Sequence, residues 1–278
     1  MMSRIFTAKG RLVRTVCTGF LGFFLMELPL SMTDGNTANA QGNGMQHIHF
    51  RQVIDLSHRI TPDMPLWPGD PPVVFEEIAN MDTDGYYLRK FSIGEHSATH
   101  MNAPNSFHPG GIGIDEYAPE SLVRPAVVID VRDRTRFNPD YVITEQDVRG
   151  WERRHGRIKP GSVVLFYTGW QELWDSPEQF FNQDAGGGLH FPGIGAETTA
   201  FLLAERNIAG VGIDTHGADP GQDPMFSTNT LVLAQNGIIL ECLTNLHRLP
   251  PKGTTLVIGI LRLQNGSGSP VSVMAFTP

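Results

Sequence analysis

Cysteine is nearly absent from this sequence. The 278-residue chain has two, Cys17 and Cys242. Removal of the N-terminal leader described below leaves one, so no intrachain disulfide framework supports the fold. Charge is also sparse, at 18% of residues, with 21 Lys and Arg against 29 Asp and Glu for a net −8. Arg4, Lys9, Arg11 and Arg14 against Glu27 and Asp34 give the first forty residues +2, which leaves −10 on the rest. An acidic body of this kind lacks the phosphate-neutralising surface of nucleic-acid binders. No G-x-G-x-x-G follows a strand, and neither G-K-[ST] nor G-x-S-x-G occurs, so the sequence offers no nucleotide fingerprint, P-loop or nucleophile elbow. There is no internal repeat. What the chain has is 40% hydrophobic residues, enough length to bury a sizeable core, and 30 Gly with 20 Pro in no periodic arrangement. That composition suits a loop-rich enzyme fold.

The basic start, the apolar run Val16–Met26 and the Ala38-Asn39-Ala40 tripeptide have the layout of a secretory signal peptide over residues 1–40. The run has 11 residues, against the ~20 needed to span a bilayer. Residues 41–52 read as a linker and 53–278 as a single domain. The expected location is the periplasm or the exterior, with no membrane association beyond the export signal.

Within 53–278, Val53–Ser57 reads as a strand. The proline-dense Thr61–Pro72 is a loop, and Val73–Ile78 a second strand. Ala126–Asp130, Ser162–Tyr167, Gly210–Asp214, Ile238–Leu243, Thr255–Leu263 and Val271–Phe276 are short apolar runs of strand type. Helices are expected over Thr144–Gly156, with Thr144 as N-cap and Asp147 three residues on, over Ala196–Arg206, and over Thr228–Gln235. Strands alternate with helices only in the middle. The expected class is therefore α/β: mixed β-sheets with a few covering helices.

The chemistry concentrates in His96–His108, HSATHMNAPNSFH, which holds three of the ten histidines. His96 and His100 are four apart. On a helical turn both imidazoles would share one face and reach one metal ion. Thr99 and Asn102 are placed to fix the ring tautomers, and Asn102 is also a candidate ligand through its amide oxygen. Pro104 ends any helix and leaves His108 on the following loop as a candidate acid or base. Trp67 and Phe107 are candidate walls for a flat substrate, although packing explains Trp67 equally well. Asp214 at a strand end reads as a turn cap, and Gly186–Gly188 as either a mobile loop near the site or a surface turn.

This stretch resembles the signature H-x-G-T-H-x-D-x-P-x-H of the cyclase family of metal-dependent hydrolases, which includes bacterial kynurenine formamidases and isatin hydrolases. The resemblance extends to Asp55-Leu56-Ser57, Trp67-Pro68-Gly69-Asp70, Phe191-Pro192-Gly193, Gly212-Ile213-Asp214 and Gly237–Glu241. It implies the family's swivelling β/β/α fold, a homo-oligomer, a small-molecule substrate and one divalent metal, zinc or manganese. It also implies hydrolysis of an amide in a cyclic or N-formyl, arylformamide-like substrate by metal-activated water. His96 and His100 match the paired ligands, and Glu241 matches the family's late carboxylate, a ligand and catalytic group. Four positions depart from the pattern. The signature glycine is Ala98, its aspartate Asn102, its last histidine Ser106, and the later ligand histidine Asn229. Two neutral amides in place of an aspartate and a histidine argue for one metal rather than two. Glu241, Asn102 and His216 are the candidates for the third ligand, and His108 for the displaced base. A lactone hydrolase and a non-catalytic periplasmic metal- or ligand-binding protein are the alternative readings.

Overall fold

The computed structural model describes residues 47–278. The leader read in residues 1–40, and the linker up to residue 46, lie outside the described residues. Among the described residues, twelve strands carry the architecture: β1 Gln52–Asp55, β2 Val74–Ala79, β3 Leu88–Ser92, β4 His100–Asn102, β5 Val123–Asp130, β6 Val142–Ile143, β7 Val163–Tyr167, β8 Gly193–Ile194, β9 Gly210–Ile213, β10 Ile238–Glu241, β11 Lys252–Ile260 and β12 Gly268–Thr277. The three longest helices are α1 Glu145–His155, α2 Ala196–Arg206 and α3 Ser227–Leu233.

Eight strands form one sheet in the order β1-β12-β11-β5-β7-β9-β10-β4. β4 pairs with β12 as well as β10, which closes the sheet into a barrel. The centre, β5-β7-β9-β10, is parallel, whereas β11, β12, β1 and β4 join antiparallel. Central strands are apolar on both faces, as expected of a parallel sheet covered on both sides. Along β7, Val163, Leu165 and Tyr167 point into the barrel with Leu56, Met101, Leu256 and Val273. Val164 and Phe166 point outward under Trp151 of α1, Leu202 of α2 and Val232 of α3. A third apolar cluster, with Trp170, Trp174, Phe180 and Phe191, sits under the proline-rich loop and supports Trp67.

The capping box at Thr144 forms: Asp147 accepts from the Thr144 backbone N–H at 2.8 Å and starts α1. Asp214 is a structural acceptor. It takes hydrogen bonds from the backbone of Thr168, Gly169 and Gln171 and fixes the loop after β7. Gly186–Gly188 fold back on the Asp184 carboxylate as a surface turn, and none of them lines the cavity described below.

Candidate metal centre

His96 and His100 do not share a helix, as the four-residue spacing suggested. His96 lies in a turn and His100 opens β4. The reversal between them runs through Ala98 at φ 55°, a left-handed conformation that costs an L-residue ~1–2 kcal/mol. Glycine, which adopts it freely, stands there in the family signature.

The register of β4 sets the rest. His100 pairs with Glu241 of β10, and Asn102 with Ile239. Alternation then sends Met101 into the barrel core and His100 and Asn102 to the opposite face. His100 Nε2 comes to 2.9 Å from Glu241 Oε2, with both side chains buried. On the other edge of β4, Gly268 of β12 sits opposite Asn102. A Cβ at Gly268 would lie 2.7 Å from the His96 ring, so that ring owes its place to the missing side chain.

One continuous hydrogen-bond network joins these groups. Glu95 accepts from the backbone N–H of Ser267 at 2.7 Å and from its hydroxyl at 2.6 Å. Ser267 Oγ meets His96 Nε2 at 2.9 Å, and His96 Nδ1 meets Asn102 Oδ1 at 2.9 Å. Asn102 Nδ2 donates to Asn229 Oδ1 at 2.8 Å. Asn229 Nδ2 donates to Asp219 at 2.8 Å and to Glu241 Oε1 at 3.2 Å. Glu241 Oε1 also accepts from the backbone N–H of Ala218 at 2.7 Å. Thr99 hydrogen-bonds to neither ring; its hydroxyl donates to the Cys242 carbonyl at 2.6 Å and ties the turn to the end of β10.

Asp219 carried no signal of its own in the sequence, yet it orients Asn229 and holds the backbone at the start of α3. Its partner is the family-like Phe191-Pro192-Gly193 segment. A Cβ at Gly193 would lie 2.2 Å from the backbone at Asp219 and Pro220, so only glycine lets that loop approach. Burial pushes the Asp219 carboxyl up to about 6. Burial also pushes against ionisation of Glu241, but a protonated His100 and the Ala218 and Asn229 donors prevail and hold it down at about 2.

His96, His100, Asn102, Asn229 and Glu241 line a cavity of about 280 Å³ together with Trp67, Phe107 and Phe226. Phe107 and Phe226 face one another at 5.7 Å between ring centroids. His216 also reaches the cavity. It is packed among Trp67, Phe181 and Phe180 with ring separations of 5.1, 5.0 and 6.1 Å, and burial lowers its pKa to about 3. Its ring centroid lies 6.3 Å from that of His100. His108 is not among the lining residues. Its Nε2 donates to the Thr230 carbonyl at 2.8 Å, so the ring is committed to α3, and Ser106, two residues earlier, takes the place at the cavity.

Among the described residues, no cluster of three or more His, Cys, Asp and Glu side chains is disposed to hold a metal. The candidate set here needs the amide oxygen of Asn102. Proton bookkeeping tests whether it suits a cation. His100 Nδ1 donates to the Ala98 carbonyl at 2.9 Å, so in a neutral ring Nε2 turns a lone pair toward Glu241. The Ser267 hydroxyl proton goes to Glu95, so His96 Nε2 must donate to Ser267, and Nδ1 turns a lone pair toward Asn102 Oδ1. Asn102 cannot flip, because the Nδ2 group of Asn229 is committed to two carboxylates. Each contact therefore sets acceptor against acceptor unless a cation lies between them or both rings are protonated. Burial, then the neighbouring His100, lowers the His96 pKa and disfavours protonation of the His96 ring. With a neutral His96 ring, the donor set suits a divalent cation.

Comparison with known proteins agrees with this fold. The family described as "Putative cyclase" matches residues 54–220. The chain belongs to this family. It is 31% identical over 244 residues to the isatin hydrolase of Roseibium aggregatum, covering 82% of this chain and 92% of that protein. It is 28% identical over 192 residues to the kynurenine formamidase of Erythrobacter litoralis, covering 69% and 78%. Isatin hydrolase A from Ralstonia solanacearum superposes with a TM-score of 0.77 at 36% identity, covering 82% of this chain and 92% of that one. The mixed α/β barrel of this cyclase-family chain is thus the fold that its solved relatives share.

Proposed function

We propose that this cyclase-family protein is a metal-dependent amidohydrolase that opens the amide bond of a cyclic or N-formyl aryl substrate. One observation carries the reading. Two imidazoles, the Glu241 carboxylate and the Asn102 amide oxygen border a cavity walled by Trp67, Phe107 and Phe226. The relatives named isatin hydrolase and kynurenine formamidase support it. His96, His100, Glu241 and Asn102 would hold the metal, zinc or manganese, one per chain. Such a cation supplies Lewis acidity to a carbonyl oxygen and to water. The aromatic walls would hold a flat ring, and exclude water from its faces. The Asn102–Asn229 pair supplies neutral groups in place of an aspartate and a histidine, which supports a mononuclear site.

The test is metal content by elemental mass spectrometry, beside turnover of isatin, an N-formyl anilide and an aryl lactone. About one metal per chain, lost in His96→Ala, with amide turnover, supports the proposal. Hydrolysis of the lactone alone moves the reading to an ester hydrolase. Neither metal nor turnover leaves a non-catalytic binding protein. Export directed by the leader, and self-association, belong to the same proposal. The exposed apolar side chains Val74, Ile78, Leu88 and Phe91 of the β2–β3 ribbon support the latter, and light scattering of the purified chain checks it.

A further inference from the structure

A hydrolase site needs a group that takes a proton from water and returns it to the leaving atom. Neither the family's last signature histidine nor His108 stands in the cavity. The family's last signature histidine is replaced by Ser106, whose hydroxyl donates to the Ala103 carbonyl at 2.5 Å. His108 is bonded to the Thr230 carbonyl. Five ionisable side chains line the cavity: Asp70, His96, His100, His216 and Glu241. His96, His100 and Glu241 face one another in the candidate metal set. His216 is 4% exposed and packed among aromatic rings. Asp70 alone remains.

Its placement follows from the local sequence. Trp67-Pro68-Gly69-Asp70 closes a β-turn through the Asp70 N–H to the Trp67 carbonyl at 2.9 Å. Pro68 occupies the second position and Gly69, at φ 99°, the third, the residue choice of a type II turn. Such a turn holds its first and last residues side by side, and Trp67 and Asp70 both line the cavity. Asp70 is partly exposed, and among the described residues no hydrogen-bond or ion-pair partner engages its carboxylate. Every other carboxylate bordering the site, Glu95, Asp219 and Glu241, is committed to donors.

We propose that Asp70 is a catalytic residue, the proton-transfer group of this site. The proposal rests on the hydrolase reading above. The Asp70 carboxylate accepts one proton of water as the water oxygen bonds to the carbonyl carbon. The resulting carboxyl then gives that proton to the nitrogen as the C–N bond breaks and its electron pair passes to nitrogen. One water is consumed and Asp70 is regenerated.

The experiment uses the metal-loaded protein and the best amide of the substrate panel. Asp70→Asn is expected to lower kcat by about 10²–10⁴-fold, the usual contribution of a positioned acid–base group. KM and metal content should stay within twofold of the parent, and the melting temperature should not shift. Asp70→Glu should retain the larger part of the rate. Added formate, a small carboxylate, should restore at least tenfold to Asp70→Ala, which a merely structural role would not show. An Asp70→Asn rate within threefold of the parent overturns the proposal, as does loss of metal or folding without formate rescue. If the parent protein turns over no amide at all, the hydrolase reading itself fails, and that outcome is distinct.

Discussion

Ser267→Ala tests the logic of the metal centre directly. The Ser267 hydroxyl is the sole link between His96 Nε2, at 2.9 Å, and the Glu95 carboxylate, at 2.6 Å. Its loss removes two contacts at once. The His96 Nε2–H is left without its acceptor in a largely buried setting, which costs about 1–3 kcal/mol. The ring also becomes free to move its proton to Nδ1 and donate to Asn102 Oδ1, an arrangement that satisfies both groups without a cation. Each 1.4 kcal/mol is about a factor of ten in affinity, so metal binding should weaken by about 10- to 100-fold, the range typical of groups that orient a ligand histidine. Isothermal titration of zinc and of manganese into chelator-stripped protein reads this effect. Ser267→Thr keeps a hydroxyl and should bind within a fewfold of the parent. Unchanged metal Kd in Ser267→Ala, with a normal melting temperature, would refute the proton bookkeeping that orients His96.

Three further outcomes follow from the geometry. His108→Ala should leave kcat/KM unchanged within twofold and lower stability by about 1 kcal/mol, the worth of its bond to Thr230; a large rate loss by steady-state kinetics would return His108 to the site. Asn102→Asp sets a carboxylate against Asn229 Oδ1 and should destabilise the metal-free protein by about 1–3 kcal/mol in urea unfolding, whereas Asn102→Asp with Asn229→His should bind two metals per chain. Burial raises the Glu152 carboxyl, but its two hydrogen bonds to Arg206, at 2.7 and 2.9 Å, prevail and hold it below the usual range. A depressed carboxylate stabilises the fold above its unfolded pKa and loses that contribution as pH falls through its folded value. Glu152→Gln should therefore cost about 3 kcal/mol at neutral pH and flatten the acid side of a plot of melting temperature against pH; an unaltered acid slope would contradict this.

Much of the fold was legible because local rules agreed with it. The capping box at Thr144 and the periodicity after it mark α1, and uninterrupted apolar runs mark the buried parallel strands β7 and β9. β3 and β4 were missed for different reasons. β3, Leu88–Ser92, is exposed along its whole length and shows no alternation. β4 has three residues, too few for any periodic signal, and a spacing of four between histidines invites a helix instead. The expectation for His108 has the same origin. Residue type and proximity in sequence made it a candidate, but the backbone turn at Pro104–Ser106 directs it to α3.

The sequence by itself determined the inventory: paired histidines, two amides where charged or ionisable ligands stand in the family, a late glutamate, and a Trp-Pro-Gly-Asp turn whose conformation its own residues dictate. Which of these groups meet was decided only in three dimensions. Asn102 and Asn229 are 127 residues apart and bond at 2.8 Å because β4 is wedged between β10 and β12 in one register. A slip of one residue would bury His100 and Asn102 in the barrel and expose Met101. That register is fixed by the burial of Met101 and by glycine at Gly268, contacts between segments distant in the chain. No local property of His96–His108 encodes them.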